Sequence, residues 1–398
     1  MVTPNKSNGQ AAADPINGWS EILEELCGRI AHRFRRPEVR TRLRRYLTGL
    51  LGEVGRKNCW QMAESMGERR PRGVQHLLND AHWDADAVRD DLREYVVERL
   101  GDEESGVLIV DETGFLKKGE KSVGVARQYT GTAGKRENCQ VGVFLAYASK
   151  KGAAFVDRGL YLPRKWAEDA QRREEAGVPE KVRFATKGKL AREMLQRAFD
   201  ADVPARWVVA DTVYGTARGL REWLEERGRS HVLAVPATRG VYHEGHQRQA
   251  RTVAKRLPEE EWFRASAGTG SKGERLYDWA CVALPAPETE GAGRWLLMRR
   301  GIEEPEKFAY YLAHGPAETS VDELIRIAGG RWSIEDCFEA AKGEVGLDEY
   351  EVRKWDGWHR HITLCLLAHA YLAVMRSVAH REEDAAKKGI SGRACTTS

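Results

Sequence analysis

The sequence lacks the features that mark a secreted or membrane protein. Among its 398 residues no apolar run approaches the roughly 20 residues that a membrane-spanning helix requires. Residues 1–17 are polar and have no apolar central region, so no signal peptide is expected. The seven cysteines are scattered, odd in number and without a C-x-x-C pair, which indicates reduced thiols in a cytoplasmic protein and not zinc ligands or disulfides.

Charge of one sign is not in excess either. The formal net charge of +4 is modest for a chain of 398 residues and by itself implies no partner. The length is sufficient for about two or three domains with ample cores. The distribution of the charges along the chain is therefore more informative than their sum.

The most informative stretch is residues 107–115, VLIVDETGF. Four apolar residues, mostly β-branched, run directly into Asp111 and Glu112, and the run stops at Gly114. A continuous apolar run this short predicts a strand that is buried on both faces. Asp111 then lies at the carboxyl end of the strand, where open α/β sheets place their chemistry. A turn that opens with Asp after a core strand explains the stretch equally well, so both interpretations stay open at this point.

A second strand of the same kind follows about 100 residues later. Residues 207–210 are apolar and lead into Asp211, after which residues 217–226 have a helical pattern. Two such strands side by side would bring two carboxylates to one edge of a sheet. That arrangement is repulsive and costly unless a cation or a proton is shared. The pair therefore favours a metal site over a structural turn.

The N-terminal region is predicted to be helical and basic. A helical pattern begins at Trp19 and carries many arginines between residues 29 and 45, opposed locally only by Glu38. Residues 59–66 and 73–79 predict two short helices with arginines at their junction, as in a helix-turn-helix. The arginines either form a solvated helix face or contact DNA phosphates, and their density favours the contact with phosphates. The predicted DNA-binding residues here are Arg35, Arg36, Arg44, Arg45, Arg69, Arg70 and Arg72.

The middle of the chain predicts a mixed sheet. Several strand-like runs come first, and then helix and strand alternate, which is the order of a mixed sheet with helices on its faces. Residues 238–316 are predicted to be a β-rich insertion, and a further helix is predicted at residues 84–100. The segment His243-Glu244-Gly245-His246 is one residue short of the H-E-x-x-H zinc motif and is discarded. The predicted strands are 123–129, 140–148, 153–162, 231–236, 275–284, 294–300 and 308–314, with a helix at 187–199.

Residues 330–342, GRWSIEDCFEAAK, predict a helix with a charged face. Arg331, Glu335, Glu339 and Lys342 are spaced by three and four residues, so they can share that face. A ladder of salt bridges within the helix explains this spacing as well. Apolar residues on the other faces favour a helix that is packed on both sides over a purely solvated ladder.

Together these stretches resemble the DDE transposases. The spacing R-x-x-x-E-x-x-x-x-x-x-K resembles the signature of the insertion sequence 4 group. Within that group, the chain is most similar to the insertion sequence 701 family, over residues 35–376. The segments that carry this similarity are VDETGF, ADTVYG, RWSIEDCFEAAK and NCWQMAESMG. One departure is Ala328, where the group signature usually has a Tyr three residues before the Arg. In the related families that Tyr is implied to contact DNA near the cut, so its absence bears on this contact and not on the metal site.

The resemblance implies a fold and a set of site residues. The fold is α/β: an RNase H-like mixed sheet flanked by helices, with the β-rich insertion and an N-terminal all-α DNA-binding domain. Asp111, Asp211 and Glu335 would be catalytic and would hold Mg²⁺, for which Mn²⁺ can substitute. Glu339 is the alternative to Glu335. Arg331 and Lys342 would bind DNA phosphates.

The implied function is metal-dependent cleavage and strand transfer at the ends of an insertion sequence. The expected partner is double-stranded DNA, and no membrane is expected to be involved. The protein is expected in the bacterial cytoplasm, where a homodimer would bind the DNA in the synaptic complex. The predicted segments are a disordered N-terminus (1–18), a helical DNA-binding domain (19–104), two parts of the catalytic core (105–237 and 317–380), the insertion (238–316) and a disordered tail (381–398).

Two other functions stay open. A catalytically inactive or domesticated homologue would act only as a DNA-binding regulator, although the intact Asp, Asp and Glu argue against it. A hydrolase that uses paired carboxylates as acid and base explains neither the arginine-rich N-terminus nor Lys342.

Overall fold

The computed structural model describes residues 15–270, 273–285 and 290–393, with the backbone alone described at residues 15–18 and 384–393. The N-terminal part is helical, as predicted. Its helices are α1 (Pro15–Ile30), α2 (Pro37–Leu51), α3 (Cys59–Ser65), α4 (Arg72–Asn79) and α5 (Ala85–Leu100).

The predicted pair of short helices is confirmed as α3 and α4. The Asn58 side chain accepts hydrogen bonds from the backbone N–H groups of Trp60 and Gln61, both at 3.0 Å, and so fixes the start of α3. Gly67 ends the helix in the left-handed region, at φ +75°, which favours glycine. Local capping chemistry therefore sets both ends of α3.

The sheet and its flanking helices occupy the rest of the chain. The first group is β1 (Val107–Leu116), β2 (Ala126–Thr130), β3 (Lys135–Ser149), β4 (Gly152–Tyr161), α6 (Arg164–Ala167), α7 (Ala170–Glu175), α8 (Lys187–Asp200), β5 (Trp207–Ala210), α9 (Thr212–Gly215), α10 (Arg218–Glu226) and β6 (Ser230–Val235). The second group is β7 (Gly240–His243), β8 (His246–Gln249), α11 (Ala250–Arg256), β9 (Phe263–Gly270), β10 (Gly273–Ala283), β11 (Ala292–Arg300), β12 (Phe308–Pro316), α12 (Val321–Gly330), α13 (Trp332–Gly343) and α14 (Trp355–Arg393).

The strands form one large mixed sheet. Its order is β2-β3-β1-β5-β6-β12-β11-β10-β9, and β4 pairs with the same edge of β3 as β2 does. The β1–β5 and β5–β6 pairs are parallel, and the other pairs are antiparallel. This arrangement, with helices packed on the sheet, confirms the predicted α/β fold class and is consistent with an RNase H-like core.

Strand β1 is longer than predicted. Instead of ending at Asp111 it continues to Leu116, because it stays paired with β3 as far as Leu116↔Cys139. Its parallel pairing with β5 ends at Val110↔Ala210. Asp111 therefore lies where β5 leaves the sheet, which opens space beside the carboxylate without ending its own strand.

The β-rich insertion continues the main sheet. Strand β12 pairs with β6, so β9 to β12 extend the sheet beyond the core strands. Trp279 is fully buried and Trp262 is 9% exposed, so both are core residues of the insertion. The discarded His-Glu-Gly-His segment is the hairpin turn between β7 and β8, with Glu244 and Gly245 both at positive φ.

Both predicted disordered ends differ from the structure where it describes them. Helix α1 begins at Pro15, so the predicted boundary at residue 18 is wrong. Helix α14 continues to Arg393, so residues 381–393 are helical, and their Ala, Lys and Glu content is typical of good helix formers. Residues 1–14 and 394–398, which the same predictions cover, lie outside the described residues.

Helix α14 fills the centre of the helical side of the protein. Among the described residues it is the one helix long and apolar enough to cross a membrane, between Trp355 and Glu383. Its most apolar window is 72% buried in the protein, where it packs on β4, α5 and α2. A core helix passes the same test of length and composition, so this is weak evidence for a membrane.

A buried ionic cluster joins the helical region to the sheet. The Asp157 carboxylate on β4 is 1% exposed and accepts hydrogen bonds from Arg89 on α5 at 3.3 Å and Arg197 on α8 at 2.9 Å. Beside it, Arg158 donates to Asp86 on α5 at 2.7 Å. Because charges at this depth are stable only when paired, the cluster fixes α5 and α8 against β4.

We expect Asp157→Ala to lower the free energy of unfolding by about 3–5 kcal/mol, because it removes the buried carboxylate that Arg89 and Arg197 share. Urea denaturation measures this. The matched control is Glu168→Ala, which removes an exposed ion pair with Arg164 and should cost less than about 1 kcal/mol. Equal costs for the two variants would contradict the structural role of the cluster.

Candidate active site

Two aspartates lie beside each other where the parallel pairing of β1 with β5 ends, Asp111 within β1 and Asp211 directly after β5. Asp211 is the N-cap of α9, and its Oδ1 accepts hydrogen bonds from the backbone N–H of Val213 at 2.9 Å and of Tyr214 at 3.4 Å. Asp111 Oδ1 accepts from the backbone N–H of Glu112 at 2.7 Å. The adjacent parallel strands and these backbone contacts place both carboxylates, as the apolar-strand pattern predicted.

Arg331 joins Asp111 to Glu335. Its guanidinium donates to Asp111 Oδ2 at 3.3 Å and to Glu335 Oε1 at 2.6 Å. The predicted helix is divided here: α12 ends at Gly330, α13 begins at Trp332, and Arg331 lies at the junction. The structure therefore places Asp211 beside Asp111 and joins Asp111 to Glu335 through the Arg331 cation.

The α12–α13 junction is held by the insertion. An added Cβ at Gly329 would lie 2.1 Å from the backbone oxygen of Ala267 on β9, so only glycine allows this approach. Arg275 on β10 donates to the backbone oxygens of Ala267 at 3.0 Å and Gly329 at 3.3 Å. The insertion thus fixes the backbone that carries Arg331.

The aspartates carry a charge that their surroundings do not balance. Burial, and then the neighbouring Asp211 carboxylate, raises the pKa of Asp111 to about 7. Burial, and then Glu112, raises the pKa of Asp211. Arg331 acts in the opposite direction on both but does not outweigh these effects. Binding of a further cation or a proton would stabilise a site of this kind, because it reduces the repulsion between the carboxylates.

The other face of β1 carries a cluster that the sequence analysis did not identify. Glu112 Oε2 accepts a 2.6 Å hydrogen bond from the hydroxyl of Tyr214, and Glu112 Oε1 is bound by the ammonium of Lys187 at the start of α8. Burial and Glu112 raise the pKa of Tyr214 well above its usual range, so its hydroxyl stays a donor. Because Tyr214 also binds Asp211 through its backbone, Glu112 restrains the turn that carries Asp211.

Lys342 lies at the site but contacts protein groups. Its Nζ donates to Thr113 Oγ1 at 2.8 Å and to Thr132 Oγ1 at 3.4 Å, and burial lowers its pKa. Thr113 lies two residues after Asp111 on β1, so both face α13. Because side chains alternate between the two faces of a strand, the sequence could have predicted that Thr113 lies on the same face as Asp111. Glu339, the alternative to Glu335, is exposed.

The predicted N-terminal DNA-binding arginines fall into two groups. Arg44 pairs with Glu24, and Arg45 binds Glu68 at 3.3 Å and the carbonyl of Met66. Glu38 is the one carboxylate within the basic run itself, but in the folded protein carboxylates from neighbouring segments also reach it. In the part of the chain that the structure describes, no carboxylate lies within ion-pair distance of the exposed Arg35, Arg36, Arg69, Arg70 and Arg72.

The carboxylates have the chemistry of a divalent-metal site, although they are not arranged as one. Within residues 15–270, 273–285 and 290–393, no three His, Cys, Asp or Glu side chains are grouped closely enough to hold a metal. Arg331 takes the position between Asp111 and Glu335 instead. Oxygen ligands with excess negative charge are the donors that hard divalent cations prefer, so Asp111, Asp211 and Glu335 fit such an ion.

The site agrees with the comparisons to known proteins. The family model of the DDE superfamily endonuclease matches residues 29–275, and that of the transposase DDE domain matches residues 183–371. Since the first match spans more than half of the chain, the protein belongs to the DDE superfamily of endonucleases. Members of this superfamily generally use divalent metal ions.

A curated relative supports a narrower class. The chain is 24% identical over 343 residues to the probable transposase for insertion sequence element IS701 of Microchaete diplosiphon, covering 83% of this chain and 82% of that protein. With the family matches, this confirms the predicted resemblance to a DDE transposase of the insertion sequence 701 type.

Among solved structures, the chain is similar to a Ciona intestinalis endonuclease V variant in complex with inosine-containing DNA. The identity is 12%, the TM-score is 0.26, and the likeness covers 63% of this chain and 95% of that one. A likeness at this TM-score carries no argument, so the fold assignment depends on the strand order.

We expect the stability of the protein in EDTA to depend on pH through the aspartates. Because the pKa of Asp111 is raised on folding from 3.8 to about 7, its contribution is fully present below about pH 4 and is lost as the pH rises through about 7. Relative to Asp111→Asn, the wild type should lose on the order of 2–4 kcal/mol across that range. Urea denaturation at a series of pH values measures this, and a constant difference would contradict it.

We expect Tyr214→Phe to lower the free energy of unfolding by about 1.5–3 kcal/mol, because it removes a buried hydrogen bond to a charged carboxylate. The control is Tyr129→Phe, whose side chain is 62% exposed and which should change the stability by less than about 0.5 kcal/mol. A neutral Tyr214→Phe would show that the hydroxyl does not restrain the turn of Asp211.

Proposed function

We propose that the protein is a DNA transposase that binds the terminal inverted repeats of an insertion sequence and moves it by cut and paste. Membership of the DDE superfamily and similarity to a transposase support DNA transposition in general. The observation that carries the specific proposal is that Asp111 lies beside Asp211 and is joined to Glu335 through Arg331.

The three carboxylates would hold Mg²⁺, or Mn²⁺ in its place. Asp111 would serve two ion sites, one with Asp211 and the other with Glu335. Such ions, when bound, activate the attacking water or 3′-hydroxyl and stabilise the leaving oxygen of a phosphodiester. The raised pKa values of both aspartates favour this assignment, since a divalent cation relieves the repulsion that raises them.

Arg331 would have two roles. In the free protein it pairs with both Asp111 and Glu335; burial lowers its own pKa, but the two carboxylates outweigh that effect and raise the pKa. Once released from the carboxylates, its planar guanidinium is placed to contact a DNA phosphate bidentately at the same edge. Lys342 would contribute a point charge there after exchanging its bonds to Thr113 and Thr132 for a phosphate.

The N-terminal helices would bind the ends of the element. The unpaired Arg35, Arg36, Arg69, Arg70 and Arg72 are available to phosphates at once. Arg44 and Arg45 would have to exchange a carboxylate for a phosphate. The partner is double-stranded DNA in a bacterial cytoplasm, and two protein copies would bring the two ends together as a homodimer.

We expect Asp111→Ala, Asp211→Ala and Glu335→Ala each to lower strand cleavage by roughly a thousandfold or more, because metal ions contribute several kcal/mol to such a reaction. The measurement is excision, by purified protein with Mg²⁺, from a plasmid that carries the gene with its native flanking DNA. The matched control is Glu339→Ala, an exposed glutamate one turn further along α13, which should cleave normally.

The same assay also tests the alternative function. A discrete linear fragment that requires both metal and the unmutated carboxylates would establish the nuclease. A variant that still cleaves would remove its residue from the triad, and a defect confined to Glu339→Ala would transfer the role of Glu335 to that residue. Footprints on the flanking DNA without cleavage would favour a DNA-binding regulator.

A further inference from the structure

We propose that a basic cleft beside the active site binds the phosphate backbone of double-stranded DNA, independently of sequence. The cleft encloses about 1200 Å³ between β2, β3, the α6–α7 segment and the loop before α14. Its lining includes eight cationic side chains and only two carboxylates, Glu120 and Glu175. This inference rests on the proposed function and adds to it a second DNA-binding surface.

Six of the cations have no charge partner. In the described part of the chain, ion pairs at the cleft are limited to Lys121 with Glu175 at 3.6 Å and Arg164 with Glu168 at 3.2 Å. The remaining cations have no carboxylate within ion-pair distance, and Arg136 and Arg172 donate only to neutral backbone carbonyls. These six are Arg127, Arg136, Lys165, Arg172, Arg353 and Lys354.

Several other basic residues of the protein, unlike these six, are paired. Many of the N-terminal arginines are held by carboxylates from neighbouring helices, including Arg29 by Glu98 and Arg33 by Asp91. Six like charges around one concave surface repel one another and raise the local potential, which attracts an extended anion. A polyanion with evenly spaced phosphates suits such a surface better than a small ligand with one or two charges.

The cleft is continuous with the active site through two elements. The hairpin of β2 and β3 carries Arg127 and Arg136, and Thr132 in its turn contacts Thr113 at 3.3 Å and Lys342 at 3.4 Å. The loop that follows α13 carries Arg353 and Lys354. Strand β2 spans about 17 Å, which is the length of about five base-pair steps.

The lining favours contacts to phosphates over contacts to bases. Two aromatic residues, Tyr161 and Trp166, line the cleft, and the larger one, Trp166, is 2% exposed and covered by Arg172, whose guanidinium lies 3.9 Å from the ring centroid. No base can stack on a ring in that position. The DNA expected here is therefore the duplex next to the cut, bound without regard to its sequence, and not the terminal repeat.

The test is binding of the full-length protein to a 40-base-pair duplex of random sequence across a range of salt concentrations, with a length chosen to cover both surfaces by about two helical turns each. The variant combines Arg127→Ala, Arg136→Ala and Arg353→Ala. The dependence of log affinity on log salt should lose about 0.9 per contact removed, and the affinity near 0.1 M salt should fall by about tenfold or more.

The matched control combines Arg206→Ala, Lys255→Ala and Arg256→Ala. These residues are exposed, lie outside the cleft, and have no carboxylate within ion-pair distance among the residues that the structure describes. The control should bind within about twofold of the wild type, since it removes the same charge without removing phosphate contacts.

The outcomes separate the inference from the proposed function. If the wild type does not bind the duplex at all, both fail. If the wild type and the cleft variant bind equally, with equal salt dependence, the cleft inference alone is overturned. If the cleft variant loses binding to single-stranded RNA but still binds the duplex as the wild type does, the cleft inference is also overturned, in favour of an RNA-binding surface.

A second measurement needs no variant. Acetylation of lysines in the intact protein, read by mass spectrometry, should slow severalfold at Lys165 and Lys354 when the random duplex is added, while Lys255 reacts as before. Unchanged reactivity of Lys165 and Lys354 under conditions where the duplex is bound would overturn the inference.

Discussion

The active site depends on how like charges are held together. Asp111 and Asp211 end up beside each other because adjacent parallel strands carry them there, and each lies in a setting that disfavours its charge. Arg331 makes the arrangement tolerable by binding Asp111 and Glu335 at once. The position of Arg331 depends in turn on a glycine contact between α12 and β9, so the insertion contributes to a site that it does not itself line.

The side chains on the two faces of β1 contact different parts of this site. Asp111 and Thr113 face α13, where Arg331 and Lys342 bind them, whereas Glu112 faces α8 and α9, where Lys187 and Tyr214 bind it. Alternation along one strand therefore connects catalytic groups on one side to supporting groups on the other. A change of register by one residue would exchange the two sets, which is why the long pairing of β1 with β3 matters for chemistry as well as for stability.

Much of this could be predicted from the sequence where local chemistry decides the structure. The apolar runs before Asp111 and Asp211, the short helices at the N-terminus and the strands of the insertion all follow from periodicity and capping. Contacts between distant segments could not be predicted in this way. The partners of Arg44 and Arg45, the break at Arg331 and the Glu112–Tyr214 bond each join residues that only the folded sheet brings together. The helical end of α14 was missed because its charged composition also suits a disordered tail.

The insertion between β6 and α12 also determines when the site can exist. Glu335 follows Asp111 by more than two hundred residues, and the chain between them includes β12, which pairs with β6 in the sheet. Contacts so distant along the chain form late in folding, after the local helices and hairpins. A growing chain on the ribosome therefore has its N-terminal arginines well before it has a full set of acids, so the residues proposed to bind DNA are synthesised before the residues proposed to cut it.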